Sequence, residues 1–144
     1  MLPKTILVPT DFSAGAEHAL EYAIELARKL DAKIQLLHVV PSEMLAAELG
    51  VVASSQMIES MQDASRKQLA SLVAAHGGKV PLEPPVLETG DPRTWIEATA
   101  RKLPADLVVM STHGRRGVKR LLLGSVAEAV VRCSPCPVLL VREP

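Results

Sequence analysis

Along the chain, apolar positions alternate between short continuous runs and helical spacing. Ile6-Leu7-Val8, stopped by Pro9, reads as a buried strand. Ser13 is a helix N-cap residue, and after it Ala16, Ala19, Leu20, Ala23, Ile24, Ala27 and Leu30 recur at steps of three and four. Glu17, Glu21, Glu25 and Lys29 fill the opposite, solvated face. Ile34 to Val40 is a second apolar run, broken only by Gln35 and His38. Continuous runs of this kind belong to parallel strands covered on both faces. From Pro41 to Ser55 no single period holds and Gly50 interrupts, which predicts a long loop with at most a helical turn. Ile58, Met61, Leu69, Leu72 and Val73 predict a second main helix ended by Gly77-Gly78. Val80 to Leu87 reads as an extended edge strand, because Pro81, Pro84 and Pro85 cannot donate to a ladder. Asp91-Pro92 opens a further helix through Trp95, Ile96, Thr99, Ala100 and Leu103. Leu107 to Met110 is a fourth strand, Ser125 opens a short helix, and Pro137 to Val141 is a fifth strand.

This order predicts one doubly wound α/β domain over residues 1–144, with five parallel strands and helices on both faces. Right-handed crossovers and an edge place for the proline-rich strand give the order 3-2-1-4-5. The winding reverses between strands one and four, and ligands of open α/β sheets bind at such a reversal. Topology therefore nominates Pro9 to Ser13 and Ser111 to Ser125 as the binding segments.

Composition narrows the function. Aromatic residues are 2 %, so the core is aliphatic and base stacking is a poor way for this chain to hold a nucleic acid. Sixteen basic residues balance sixteen acidic ones, leaving no global field for DNA, RNA or anionic lipid. No apolar stretch is long enough to span a membrane, and no signal-peptide pattern is seen. With Cys133 and Cys136 as the sole cysteines, a disulfide framework is not expected and the cytoplasm is the expected compartment. Their C-x-x-C spacing straddles a helix end instead of a helix start, which argues against an activated thiol.

The segment Ser111-Thr112-His113-Gly114-Arg115-Arg116-Gly117 follows a strand, and Gly124-Ser125 stands at a helix start. Backbone N–H groups at a glycine turn and at a helix N-terminus suit a polyphosphate. On loop chemistry alone the same residues read equally well as a turn, with Gly124 allowing close packing and the arginines solvated. Asp11 is either a ligand group at the switch point or a loop acid that favours a helix N-terminus. His113 is read as a donor to phosphate or backbone, and Arg115, Arg116, Lys119 and Arg120 as a cation cluster beside it. No His or Cys set has metal-ligand spacing, and no catalytic or metal-binding residue is assigned.

These residues together resemble the universal stress protein family. The likeness runs from Ile-Leu-Val-Pro-Thr-Asp-Phe-Ser through Leu-Leu-His-Val and the Ser-Thr-His-Gly-Arg-Arg-Gly loop to Cys-Pro-Val-Leu-Leu-Val. Gly114, nine residues, then Gly124-Ser125 is similar to the phosphate signature of its nucleotide-binding branch, with Ser111 in the place of the first glycine. The resemblance implies an adenine-nucleotide alpha-hydrolase-like fold that binds ATP, with Mg²⁺ accompanying it. It implies Pro9, Thr10 and Asp11 beside ribose and adenine, and Val39 at the adenine edge. Met110, Ser111, His113, Gly114, Arg115, Gly124, Ser125 and Val126 would surround the phosphates. It implies a homodimer through Val138, Leu139, Leu140 and Val141, acting in a stress response on a protein partner of unknown identity. Two alternatives stay open: a member that binds no nucleotide and acts through protein contacts, which Ser111 favours, and a slow ATPase.

Overall fold

The computed structural model describes residues 1–50, 52–114 and 122–144, with only the backbone of Met44 and Leu45. The chain runs β1 (Thr5–Pro9), α1 (Ala14–Leu30), β2 (Lys33–Val40), α2 (Ser42–Leu49), α3 (Ser55–His76), β3 (Val86–Thr89), α4 (Pro92–Lys102), β4 (Leu107–Ser111), α5 (Ser125–Cys133) and β5 (Val138–Val141). The strands form one parallel sheet of order β3-β2-β1-β4-β5, as the pattern predicts. Strand alternation sorts the core into two layers. Ile6, Val8, Ile34, Leu36 and Val109 meet the apolar stripe of α1 on one face. Leu7, Leu37, Val39, Val108 and Met110 meet Ile96 and Ala100 of α4 and Ala127 and Val130 of α5 on the other. Leu7 has no exposed surface, and truncating such a residue to alanine costs about 2–5 kcal/mol.

Helix starts follow their capping residues. Ser13 Oγ accepts from Ala16 N at 3.2 Å to open α1. Asp91 Oδ1 accepts from Arg93 N at 2.9 Å to open α4. The Arg93 guanidinium also bonds the Asp91 carboxylate at 2.8 Å and holds that carboxyl below its usual range.

Two expectations are corrected. The stretch 41–55 is not a long loop, because Ser42–Leu49 forms a two-turn helix. Gly50 interrupts the pattern as its C-cap, in the left-handed conformation at φ 66°. The extended segment 80–87 is not one edge strand. Only Val86–Thr89 pairs with β2, after the last proline, and Leu82 makes a single bridge to Ile34. The proline segment is instead fastened by Gln35, whose buried Nε2 donates to Pro84 O at 2.7 Å. The polar interruption of β2 thus satisfies a backbone carbonyl where the ladder fails.

Candidate functional site

The carboxyl ends of β1 and β4 lie side by side at the reversal of winding, and the two turns leaving them face each other. The first turn is built from its own polar groups. Thr10 N donates to Leu37 O at 2.8 Å, which carries the ladder one residue beyond β1. Thr10 Oγ1 accepts from Phe12 N at 3.0 Å, and Asp11 Oδ1 accepts from Ser13 N at 3.0 Å. Between these bonds Phe12 takes φ 64°, the left-handed region. For a bulky L-residue that conformation costs about 1–3 kcal/mol and persists only where its surroundings hold it. Its ring lies against the imidazole of His38, with centroids 4.3 Å apart and planes at 36°.

The second turn leaves β4 at Ser111. Ser111 Oγ donates to His113 O at 2.9 Å, so the serine hydroxyl braces the turn in which the resemblance has a glycine. Thr112 N donates to Val141 O at 3.3 Å, and Thr112 O accepts from Gly124 N at 2.7 Å. Thr112 Oγ1 also lies 3.2 Å from His113 Nδ1. Gly124 is the N-cap of α5 and offers no side chain to the first-turn N–H groups. A Cβ on Gly124 would stand 3.2 Å from Thr112 O, 3.3 Å from His113 Cα and 3.7 Å from Gly114 N. A side chain at 124 would therefore press first on the turn itself, which packs backbone on backbone at the start of α5.

Asp11 joins the two turns. A Cβ on Gly114 would stand 2.8 Å from Asp11 Oδ2, so the carboxylate occupies the space that a side chain at 114 would need. Pro9, Thr10 and Asp11 are thus brought beside Ser111, His113 and Gly114, with Gly124 packed on the same turn. Ser125 and Val126 are in the first turn of α5. Val39 and Met110 have their side chains in the core layer under α4 and α5, and the pairing of β4 with β5 turns the Met110 backbone toward β5. Arg115 lies outside the described residues, as do Arg116, Gly117, Lys119 and Arg120. Among the described residues no group of three or more metal-ligating side chains is present. A recess of about 620 Å³ lies elsewhere, between α1 and the end of α3, and contains none of the candidate residues.

Sequence reasoning placed Phe12 and Thr112 inside the nominated segments and noted His38 in the second strand, but gave none of the three an individual role. A polar residue within the apolar run of β2 was the available signal for His38, which is buried with Nδ1 2.7 Å from Thr10 O. Nothing in sequence shows that Phe12 has positive φ.

The geometry can be set against known proteins. The model of the universal stress protein family matches residues 3–142. The universal stress protein MJ0531 of Methanocaldococcus jannaschii is 37 % identical over 99 % of this chain and 84 % of its own length. The solved structure of the protein MJ0577 superposes with a TM-score of 0.87 at 26 % identity, covering 100 % of this chain and 99 % of that one. A universal stress protein solved in complex with cAMP gives a TM-score of 0.67 at 25 % identity, covering 99 % and 98 %.

Proposed function

Since the chain belongs to the universal stress protein family, we propose that it is a stress-response module that binds ATP across the ends of β1 and β4. One observation supports the reading above the others: the Asp11 carboxylate lies close against Gly114, so two turns distant in sequence adjoin. The residues present fit an adenine nucleotide. Asp11 supplies an acceptor for a ribose hydroxyl, and the turn Ser111 to Gly114 with the uncapped start of α5 supplies backbone donors for phosphates. The Val39 backbone lies at the end of β2 for the adenine edge. His113, Ser125 and Val126 complete the phosphate side, and Mg²⁺ would enter with the nucleotide. That a relative is solved with cAMP supports the adenine class. We assign no catalytic residue, and the protein acts through its nucleotide state as one domain in the cytoplasm.

The same reading makes it a homodimer through β5. Pro137 O accepts from Val108 N of β4, and Val141 O from Thr112 N just beyond it. By the two-residue period of a strand, Leu139 also turns its backbone groups to β4, while Val138 and Leu140 turn theirs to the open edge. Val138, Leu139 and Leu140 are only half-buried in the single chain. Pairing with a second copy would satisfy that edge and cover the apolar side chains.

Calorimetry on Asp11→Ala tests the site. ATP affinity is expected to fall by about tenfold, a loss of about 1.4 kcal/mol, with inorganic triphosphate affinity unchanged. Equal losses for both ligands would remove Asp11 from the ribose.

A further inference from the structure

His38 is buried on β2, and its side chain reaches both residues that flank Asp11. Its Nδ1 lies 2.7 Å from Thr10 O, and since a carbonyl only accepts, Nδ1 carries the proton. Its ring lies against Phe12, the residue with φ 64°. The Thr10 carbonyl and the Asp11 N–H belong to one planar peptide unit. Holding that carbonyl toward His38 therefore turns the Asp11 N–H the opposite way. Phe12, packed on the same ring, fixes the chain on the other side of Asp11. Thr10 N–H is already committed to Leu37 O, so the ring works on a turn anchored at its start.

We infer that His38 is a positioning residue for the nucleotide: through the Thr10 carbonyl and the Phe12 ring it sets the direction of Asp11 and thereby the ATP affinity of the site. The inference rests on the reading of Asp11 as a ribose partner. It assigns His38 no contact with ligand. Its expected consequence is specific, because the donors assigned to the phosphates are backbone N–H groups of the Ser111–Gly114 turn and of α5, not the Asp11 carboxylate.

Two variants separate the donor from the ring. His38→Phe keeps an aromatic ring beside Phe12 and loses the donor, whereas His38→Asn keeps an N–H near the Nδ1 position and loses the ring. Titrations with ATP and with inorganic triphosphate are expected to show ATP weakened at least tenfold in His38→Phe, with triphosphate within twofold of wild type. His38→Asn is expected to bind ATP at least threefold more tightly than His38→Phe. Nitrogen-15 spectra of wild-type protein are expected to show the Nδ1–H form of His38. Should His38→Phe fail to fold, Phe12→Asn replaces it, since asparagine accepts positive φ without the stacked ring, and the same selective loss is expected.

Wild-type ATP affinity in the folded variants, equal losses for both ligands, or an Nδ1 without its proton would overturn the inference while leaving the nucleotide site standing. A wild-type protein that binds triphosphate and ATP equally would overturn the ribose role of Asp11 and this inference with it. Failure of the wild type to bind either ligand would overturn the nucleotide reading itself.

Discussion

Replacing Gly124 probes the join between fold and site, because the glycine touches the phosphate turn and begins α5. Its backbone is extended at φ −69° and ψ 161°, a conformation open to any residue, so the effect of a side chain there is steric. A single Cβ would meet Thr112 O at 3.2 Å and His113 Cα at 3.3 Å, both backbone atoms. Neither can rotate aside, because Thr112 is tied to Val141 through its N–H and to Gly124 through its carbonyl. Gly124→Ala therefore asks the turn to shift by a few tenths of an ångström. Gly124→Val adds two more methyl groups against the same wall, and overpacking of this kind costs about 1–3 kcal/mol. Valine is also a poorer N-cap than glycine, which raises the total to roughly 2–4 kcal/mol. At about 4 °C per kcal/mol for a chain of this size, Gly124→Val is expected to lower Tm by roughly 8–16 °C, and Gly124→Ala by a smaller amount. Scanning calorimetry reads that loss, and titration with triphosphate reads the site, where Gly124→Val is expected to abolish binding. Wild-type Tm in Gly124→Val would refute the packing argument. A lowered Tm with unchanged triphosphate affinity would keep the packing and move the phosphates elsewhere.

Three further outcomes follow from single contacts. Ser111→Gly removes the hydroxyl that bonds His113 O, which is expected to cost about 0.5–1.5 kcal/mol of stability and to change ATP affinity by less than about tenfold; a wild type that binds nothing beside a Ser111→Gly variant that binds ATP would favour the form acting through protein contacts alone. Asp91→Ala removes the α4 cap and is expected to cost about 1 kcal/mol at neutral pH. Because Arg93 depresses the Asp91 carboxyl below 3.8, that contribution is present above the unfolded-state value and disappears as pH falls through the folded-state value, so urea melts of the two proteins should converge in acid. Leu140→Pro removes an N–H from the open edge of β5 and is expected to give a folded monomer by light scattering, whereas Leu139→Pro breaks the pairing with β4 and damages the sheet itself; an unchanged dimer in Leu140→Pro would rule out this edge as the interface.

The sheet order was legible because each strand and each main helix carries its own period, and handedness leaves few arrangements of such elements. The two strand ends that form the candidate site follow from that order alone. α2 was not legible: it is two turns long, its N-cap Pro41 makes no side-chain hydrogen bond, and its apolar positions keep no clear stripe. The extent of β3 was hidden because proline forbids pairing without fixing where pairing resumes, and the tie from Gln35 to Pro84 just before that point is a tertiary contact. At the site, Asp11, Gly114 and Gly124 could be named from sequence, and close packing at Gly124 was one of the readings open there, yet the atoms that the two glycines make room for could not be seen. Gly114 yields to the Asp11 carboxylate, and Gly124 yields to the Thr112–His113 backbone; both contacts link residues that only the tertiary fold brings together. His38 was visible as a polar interruption, but its partner at Thr10 depends on β1 and β2 ending side by side in this register.

The most direct test of the central claim is a titration of wild-type protein with MgATP followed by amide resonances in two-dimensional NMR. The account expects saturable shifts concentrated at Thr10 to Ser13, Val39, Ser111 to Gly114 and Gly124 to Val126. Shifts confined to another surface, such as the recess between α1 and the end of α3, or no shifts at millimolar MgATP, would contradict it.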